Sequence, residues 1–215
     1  MNASQLAQVT ESGAGSPPPR LCVAIGAGLV ATTLLLFGRT AWEGFAFLRY
    51  DDQQYIVNNE MVRGGLTWEG IVWAFRPSTV VVANWHPVTL LSHMLDCQIF
   101  GMWSGGHHLT SVIWHAANAG LLFALLVRMT GRVWPSALVA ALFAWHPLRA
   151  ESVAWIAERK DGLSPFVWLL MLLAYVSLVR RQSWWTYLTV VLWLAFGLMS
   201  KTMMVTSPFL LLLLD

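Results

Sequence analysis

The strongest constraint on this chain is the run Leu21–Gly38, eighteen residues without a charged side chain. A helix rises about 1.5 Å per residue, so a run of this length roughly matches the ~30 Å hydrocarbon core of a bilayer. Lipid offers the backbone no hydrogen-bond partners, and a continuous apolar run satisfies its own N–H and C=O groups as a helix. Five further runs share this character: Leu109–Leu126, Val133–Trp145, Leu163–Val179, Trp185–Met199 and Met203–Leu214. Together they predict an all-α polytopic membrane protein with about six transmembrane helices. Val133–Trp145 is short enough to be a buried or re-entrant helix instead, and Pro147 stops it from extending. Charged residues make up only 11% of the chain and hydrophobic ones 57%, where a soluble domain carries about 25% charge.

The first run is too long for the core of a cleaved signal peptide and follows a long polar leader, so it is read as a retained helix. Residues 1–20 are rich in Ser, Gly and Ala and close on Pro17-Pro18-Pro19. Such a segment cannot bury enough surface to fold and is expected to be a disordered tail. Residues 21–215 are expected to form the transmembrane domain. Arg128 and Arg132 bracket one tight turn and Arg180-Arg181 open another, with no acid in either and with Trp134, Trp184 and Trp185 beside them. The positive-inside bias places these turns, and with them the N-terminus, on the cytoplasmic side. Outer loops then fall at about 42–105 and 146–162. The first carries six acids against three arginines. A net charge of +2 without a basic stripe among aromatics gives no reason to expect a nucleic-acid partner. Cys22 and Cys97 are too few and too scattered for a disulfide framework or a zinc pattern.

The first outer loop carries two helical patterns. Leu66–Phe75 holds Trp68, Ile71, Val72 and Phe75 at helical spacing, with Thr67 placed as N-cap and Arg76-Pro77 as a stop. His86–Phe100 sets Val88, Leu91, Leu95 and Ile99 on one face and His86, Thr89, His93 and Asp96 on the other. Both suit helices lying in the membrane interface. The polar face of the second either lines a water-filled cavity against Asp51-Asp52 or simply meets water and headgroups. His93 and Asp96 stand one turn apart, with His107, His108 and His115 following. A metal site among them is conceivable, but no His-x-x-x-His pair is present, so they are read as hydrogen-bonded histidines and no metal site is assigned.

Chemistry concentrates at two places. In Arg49-Tyr50-Asp51-Asp52 two adjacent carboxylates repel, which raises the pKa of one of them and suits a general base or a ligand for a divalent cation. The plainer alternative is an acid pair in a solvated turn or at a helix start. The stretch His146–Asp161, read as one helix opened by Pro147, puts Glu151, Trp155 and Glu158 on a shared face and Arg159-Lys160 at its far end. Those cations suit a lipid-linked phosphate, or equally lipid headgroups. Lys201, between two apolar runs, must snorkel or be paired.

Tyr50-Asp51-Asp52, Asn84-Trp85-His86-Pro87, Ser92-His93-Met94-Leu95-Asp96, Gly106-His107-His108-Leu109, the His146–Asp161 stretch and Gly197-Leu198-Met199-Ser200-Lys201 with Pro208 form an ordered series. Over roughly Trp42–Asp215 the series resembles the membrane region of the TMTC-like (transmembrane and tetratricopeptide repeat) proteins, bacterial relatives included. That family resembles the GT-C glycosyltransferases, whose eukaryotic TMTC-like members are protein O-mannosyltransferases. The resemblance implies the N-terminal half of a GT-C-like enzyme in a bacterial inner membrane. Such an enzyme transfers a sugar from a polyprenyl-phosphate donor to a Ser or Thr hydroxyl of a protein acceptor. Carried over, it points to Asp51 and Asp52 for catalysis and to His86, His93, Glu151, Glu158, Arg159, Lys160 and Lys201 for substrate binding. No cofactor is demanded, although the acid pair is able to take a divalent ion. No helical repeat of about 34 residues is found, which leaves a rival reading: a non-catalytic membrane anchor for a tetratricopeptide interaction domain absent from this chain. A transporter fits least, because the spans are nearly free of charge.

Overall fold

The computed structural model describes residues 17–43, 45–82 and 84–214. Each apolar run folds as a helix, and no β-strand occurs among the described residues beyond an isolated bridge between Val81 and Asn84. Most of the expected disordered tail, residues 1–16, lies outside the described residues. Its last two residues already belong to helix α1 (Pro19–Phe37), because proline at the first helical position gives up an N–H that would be unpaired anyway.

Helix α1 runs on through a short turn, α2 (Arg39–Trp42), and together they span 24 residues. Two further helical stretches are long and apolar enough to cross a bilayer, Ser104–Thr130 with 27 residues and Ile156–Arg180 with 25. Three shorter apolar helices, Val133–Trp145, Trp184–Ser200 and Thr202–Leu213, complete the set. This is an all-α integral membrane protein, as the apolar runs predict.

Between the first span and the second, the chain builds a polar cap at one end of the bundle. It contains a single π turn (Gln53–Val57), α3 (Glu60–Arg63), α4 (Trp68–Phe75) and α5 (Pro87–Phe100). The start of α4 is capped as the sequence predicts, Thr67 Oγ1 accepting the Gly70 N–H at 3.0 Å, and the structure adds a cap on α3, where Asn59 Oδ1 accepts the Val62 N–H at 3.2 Å. The cap has its own apolar core of Tyr55, Ile56, Val62, Ala74, Leu90, Met94 and Cys97, joined by Ile156 and Ala157 from the second polar segment.

Helix α6 (Ser104–Thr130) starts five residues before the expected Leu109, which draws His107 and His108 into a membrane-length helix. Its first turn depends on glycine. A Cβ at Gly105 would collide with the Ala41 carbonyl oxygen, and one at Gly106 with the Phe100 ring. Helix α6 is the central element, touching α1, α2, α5, α7 (Val133–Trp145), α8 (Arg149–Ala154) and α9 (Arg159–Arg180). Small residues, Ala116 and Ala119 on α6 and Ala140 and Ala144 on the neighbouring α7, are almost completely buried. Small side chains let backbones approach closely, which is how helices associate where lipid supplies no hydrophobic driving force. Helix α9 packs in turn on α10 (Trp184–Ser200), and a 3₁₀ turn (Thr202–Thr206) leads to α11 (Ser207–Leu214).

Two local expectations change. The polar face of α5 turns into the protein: His86, Thr89, His93 and Asp96 are at most 2% exposed, while Leu95 and Ile99 point outward. It meets neither open water nor headgroups, because Arg159 brings a buried counter-charge to Asp96. The stretch His146–Asp161 is not one helix. It breaks at Trp155, which is extended, and passes through a 3₁₀ turn (Ile156–Glu158) before α9 begins. Glu151, Trp155 and Glu158 therefore share no helical face. The break lets Ile156 and Ala157 enter the core of the cap, both fully buried.

Candidate active site at the capped end of the bundle

Asp52 stands where the first polar segment meets the second. It is 1% exposed, and its two carboxylate oxygens are divided between two backbone donors. Oδ2 accepts the Leu48 N–H and Oδ1 the Ala157 N–H, each at 2.8 Å. Burial pushes the Asp52 carboxyl above its ordinary range, the two N–H groups pull it back, and the charge of Asp51 adds to the rise. Asp51 is half-buried, and among the described residues no hydrogen bond or ion pair holds its carboxylate. The pair is thus asymmetric, with one acid committed to the backbone and its neighbour free to meet a substrate.

Three residues on from Asp52, Tyr55 is fully buried and stacks on His86, ring centroids 5.3 Å apart and planes at 25°. His93 lies 5.9 Å from the same ring. Lys160 Nζ sits over the Tyr55 face at 5.4 Å, pairs with Glu158 Oε1 at 2.9 Å and donates to the Ala157 carbonyl at 3.3 Å. Trp155 leans on Tyr50 at 5.8 Å. Burial, and then Lys160, hold the His86 imidazole down at about 4, and burial likewise lowers His93. Burial raises the Tyr55 hydroxyl, with Asp51 and Glu158 adding to the effect. At neutral pH the phenol of Tyr55 and the imidazoles of His86 and His93 are therefore all neutral. Tyr55 Oη, His86 Nε2 and both ring nitrogens of His93 have no hydrogen-bond partner among the described residues.

Of the residues singled out in the sequence, Asp51, Asp52, His86, His93, Glu158 and Lys160 come together here. Glu151 is exposed on α8 and takes no part. Arg159 is near enough for its charge to act on His93, but it is fully buried and committed to Asp96, whose Oδ2 lies 2.6 Å from Nη1. It also donates to Ser92 and Ser111 hydroxyls, each at 3.1 Å, and to the His107 carbonyl at 2.7 Å. Lys201, at the end of α10, forms a close ion pair with Asp161 in the first turn of α9. Thr89 ties the same end of α10 to α5 through the Ser200 carbonyl at 3.0 Å, so Lys201 shares the capped end with the acid pair.

The sequence leaves a metal site conceivable among His93, Asp96 and the histidines that follow, and the ligand atoms of His93, Asp96 and His107 lie within 4.8 Å of one another. The signal was the one-turn spacing of His93 and Asp96; the third member comes from another helix. Asp96 is already the counter-ion of Arg159, and Thr110 donates to its other oxygen at 2.8 Å. A dication there would share one carboxylate with a guanidinium, which disfavours it. His107 and His115 are hydrogen-bonded as expected, to the carbonyls of Gly101 at 3.0 Å and Ala144 at 2.9 Å, whereas His93, against that expectation, has no partner among the described residues at either ring nitrogen.

No family model matches the chain, and no solved structure matches it. Curated proteins do. Protein O-mannosyl-transferase Tmtc2 of Drosophila melanogaster is 30% identical over 159 residues, 70% of this chain and 16% of that protein. Protein O-mannosyl-transferase Tmtc1 of the same organism is 27% identical over 186 residues, 84% of this chain and 21% of that protein. Protein O-mannosyl-transferase TMTC1 of Mus musculus is 32% identical over 154 residues, 68% of this chain and 16% of that protein. The matched region therefore spans only about a sixth to a fifth of these relatives.

Proposed function

We propose, from the similarity of most of this chain to the TMTC-family protein O-mannosyl-transferases, that it carries the acid-pair half of a membrane glycosyltransferase. The donor is a polyprenyl-phospho-sugar, with mannose the first sugar to try, and the acceptor is a Ser or Thr hydroxyl of a protein. The observation that carries this reading is the asymmetric pair: Asp52 locked onto the N–H groups of Leu48 and Ala157, and Asp51 beside it with no partner among the described residues.

Asp51 takes the proton of the acceptor hydroxyl as its oxygen bonds to the anomeric carbon. The bond from that carbon to the phosphate oxygen breaks on the opposite face, with inversion, and the polyprenyl phosphate leaves with the electron pair. General-base help of this kind is typically worth about 10² to 10⁴ in rate. Lys160, whose ammonium has a donor left beyond Glu158 and Ala157, offsets charge on the departing phosphate, and Lys201 serves farther along the same end. Arg159 is too enclosed to reach a phosphate and acts within the fold. The reaction needs no cofactor. A divalent ion at the acid pair would have Asp51 as its ligand, since both oxygens of Asp52 are engaged.

We place the protein in a bacterial inner membrane, with its acid-pair end outside and its N-terminus in the cytoplasm. The arginine-bearing turns support this orientation. Arg180 donates to the Arg128 carbonyl, and Arg128 to the Ser177 hydroxyl at 3.0 Å, at the ends of α6 and α9 remote from Asp52. The test is transfer of labelled mannose from polyprenyl-phospho-mannose to a Ser/Thr-rich peptide by membranes carrying the protein. Transfer that Asp51→Asn abolishes supports the reading. Absence of transfer from any polyprenyl-phospho-sugar favours the anchor for an interaction domain.

A further inference from the structure

The buried Asp96–Arg159 pair takes no part in the chemistry above, yet it borders the segment on which Asp52 depends. Ala157, which donates to Asp52, lies two residues before Arg159, and Lys160 directly follows it. Ala157 sits in a three-residue 3₁₀ turn, Ile156–Glu158, that follows an extended Trp155 and runs directly into Arg159. A turn that short has too few internal hydrogen bonds to hold itself, so its position must be set by what it is fastened to. On one side Ile156 and Ala157 are buried in the core of the cap. On the other, the Arg159 guanidinium reaches Asp96 and Ser92 on α5 and Ser111 and the His107 carbonyl on α6.

The choice of a charged fastener is informative. A buried ion pair stabilises a fold little more than an apolar pair of similar volume would. What a guanidinium adds is geometry, because its planar fork fixes several acceptors at set angles. We propose that Asp96 and Arg159 are positioning residues, their pair holding the Ile156–Glu158 turn so that the Ala157 N–H stays on Asp52 and the Lys160 ammonium stays over Tyr55. The inference rests on the reading of Asp51 and Asp52 as the acid pair of sugar transfer.

The test uses the whole protein in membranes, with Arg159→Lys, which keeps the charge but loses the fork, and the neutral double variant Asp96→Asn with Arg159→Gln, which leaves no buried charge unpaired. Membrane insertion and protease resistance report folding. Hydrogen–deuterium exchange of the Ala157 amide reports the fastening without reference to activity. In folded variants the Ala157 amide is expected to exchange at least about tenfold faster. The kcat with polyprenyl-phospho-mannose is expected to fall by about 10²-fold, as for a small misplacement of a reacting group, with donor KM within about threefold of normal. Unchanged exchange at Ala157, or faster exchange with normal kcat, overturns the proposal. Should both variants fail to fold, Thr110→Val, which removes one hydrogen bond from Asp96 and keeps both charges, decides the matter by the same two readouts. If instead Asp51→Asn and Asp52→Asn both transfer sugar normally, it is the acid-pair reading that has failed. The exchange result still decides whether the pair holds the turn.

Discussion

The backbone N–H of Ala157 donates to Asp52 Oδ1 at 2.8 Å across 105 residues of sequence. It is the joint between the two polar segments, and it separates the roles of the two aspartates. Asp51→Asn removes charge and basicity where no partner is lost, so the variant is expected to insert and resist protease normally while sugar transfer falls by about 10² or more. Asp52→Asn must present an amide to two N–H donors with only one oxygen to accept. Losing a hydrogen bond to a charged group, with a buried donor left unpaired, costs about 1–3 kcal/mol. Reduced thermal stability together with lost transfer is expected of Asp52→Asn, and lost transfer alone of Asp51→Asn. Equal stability losses in both would remove the distinction drawn here.

Topology gives the second prediction. In a background lacking Cys22 and Cys97, single cysteines near Arg132 and Arg181 are expected to be shielded from a membrane-impermeant thiol reagent in intact cells, and one at the exposed Asn58 to react. The reverse pattern would put the acid pair in the cytoplasm, away from an externally facing lipid-linked donor.

The membrane helices were legible because an uncharged run of this length has almost no alternative to a helix, whatever surrounds it. The Thr67 cap was legible for a similar reason, since the hydroxyl and the N–H it accepts lie within one turn. What stayed hidden depended on partners far away in sequence. The inward turn of the polar face of α5 needs Arg159, which lies 67 residues beyond Ser92. The break at Trp155 needs Asp52 to take an N–H that a continuous helix would have used internally. Arg159 was expected at a phosphate because local sequence shows a cation beside Lys160 and does not show that Asp96 waits for it. The motif series did lead to the right family of relatives, since ordered motifs do not depend on knowing which contacts they make.

Protonation of His86 gives the third prediction. Its folded-state pKa, about 4, lies below the ordinary value of 6.5, so the unfolded chain binds the proton first as pH falls. Stability is therefore expected to be flat above pH ~6.5 and to decline from there toward pH ~4, with His86 itself contributing up to about 3 kcal/mol. Tyr55, Lys160 and His93 face the imidazole, and His93, whose pKa is also lowered, contributes in the same direction. Asp52, whose carboxyl is raised above its ordinary 3.8, takes its proton first in the folded state and so works oppositely as pH falls toward that value. Thermal unfolding in detergent across this range should show the decline, and His86→Gln should make it shallower. An unchanged slope in His86→Gln would mean that the imidazole is not held neutral by its surroundings.

Lys201 carries the last prediction. An ammonium between two apolar helices needs either water or a partner, and here Asp161 supplies one at the start of α9. The pair leaves both side chains about a quarter exposed, so its worth as a salt bridge is modest. If it serves only as a clasp between α9 and α10, Lys201→Met and Asp161→Asn should lower stability alike and leave donor affinity unchanged. If Lys201 also meets the donor phosphate, Lys201→Met should weaken binding of polyprenyl-phospho-mannose while Asp161→Asn, by releasing the ammonium, leaves it equal or tighter. Lys201→Arg should hold the phosphate better than Lys201→Met does, because the charge is kept. The expected outcome is this asymmetric pattern, read by donor binding to the protein in nanodiscs; equal affinities for wild type and Lys201→Met would confine the residue to holding the two helices together.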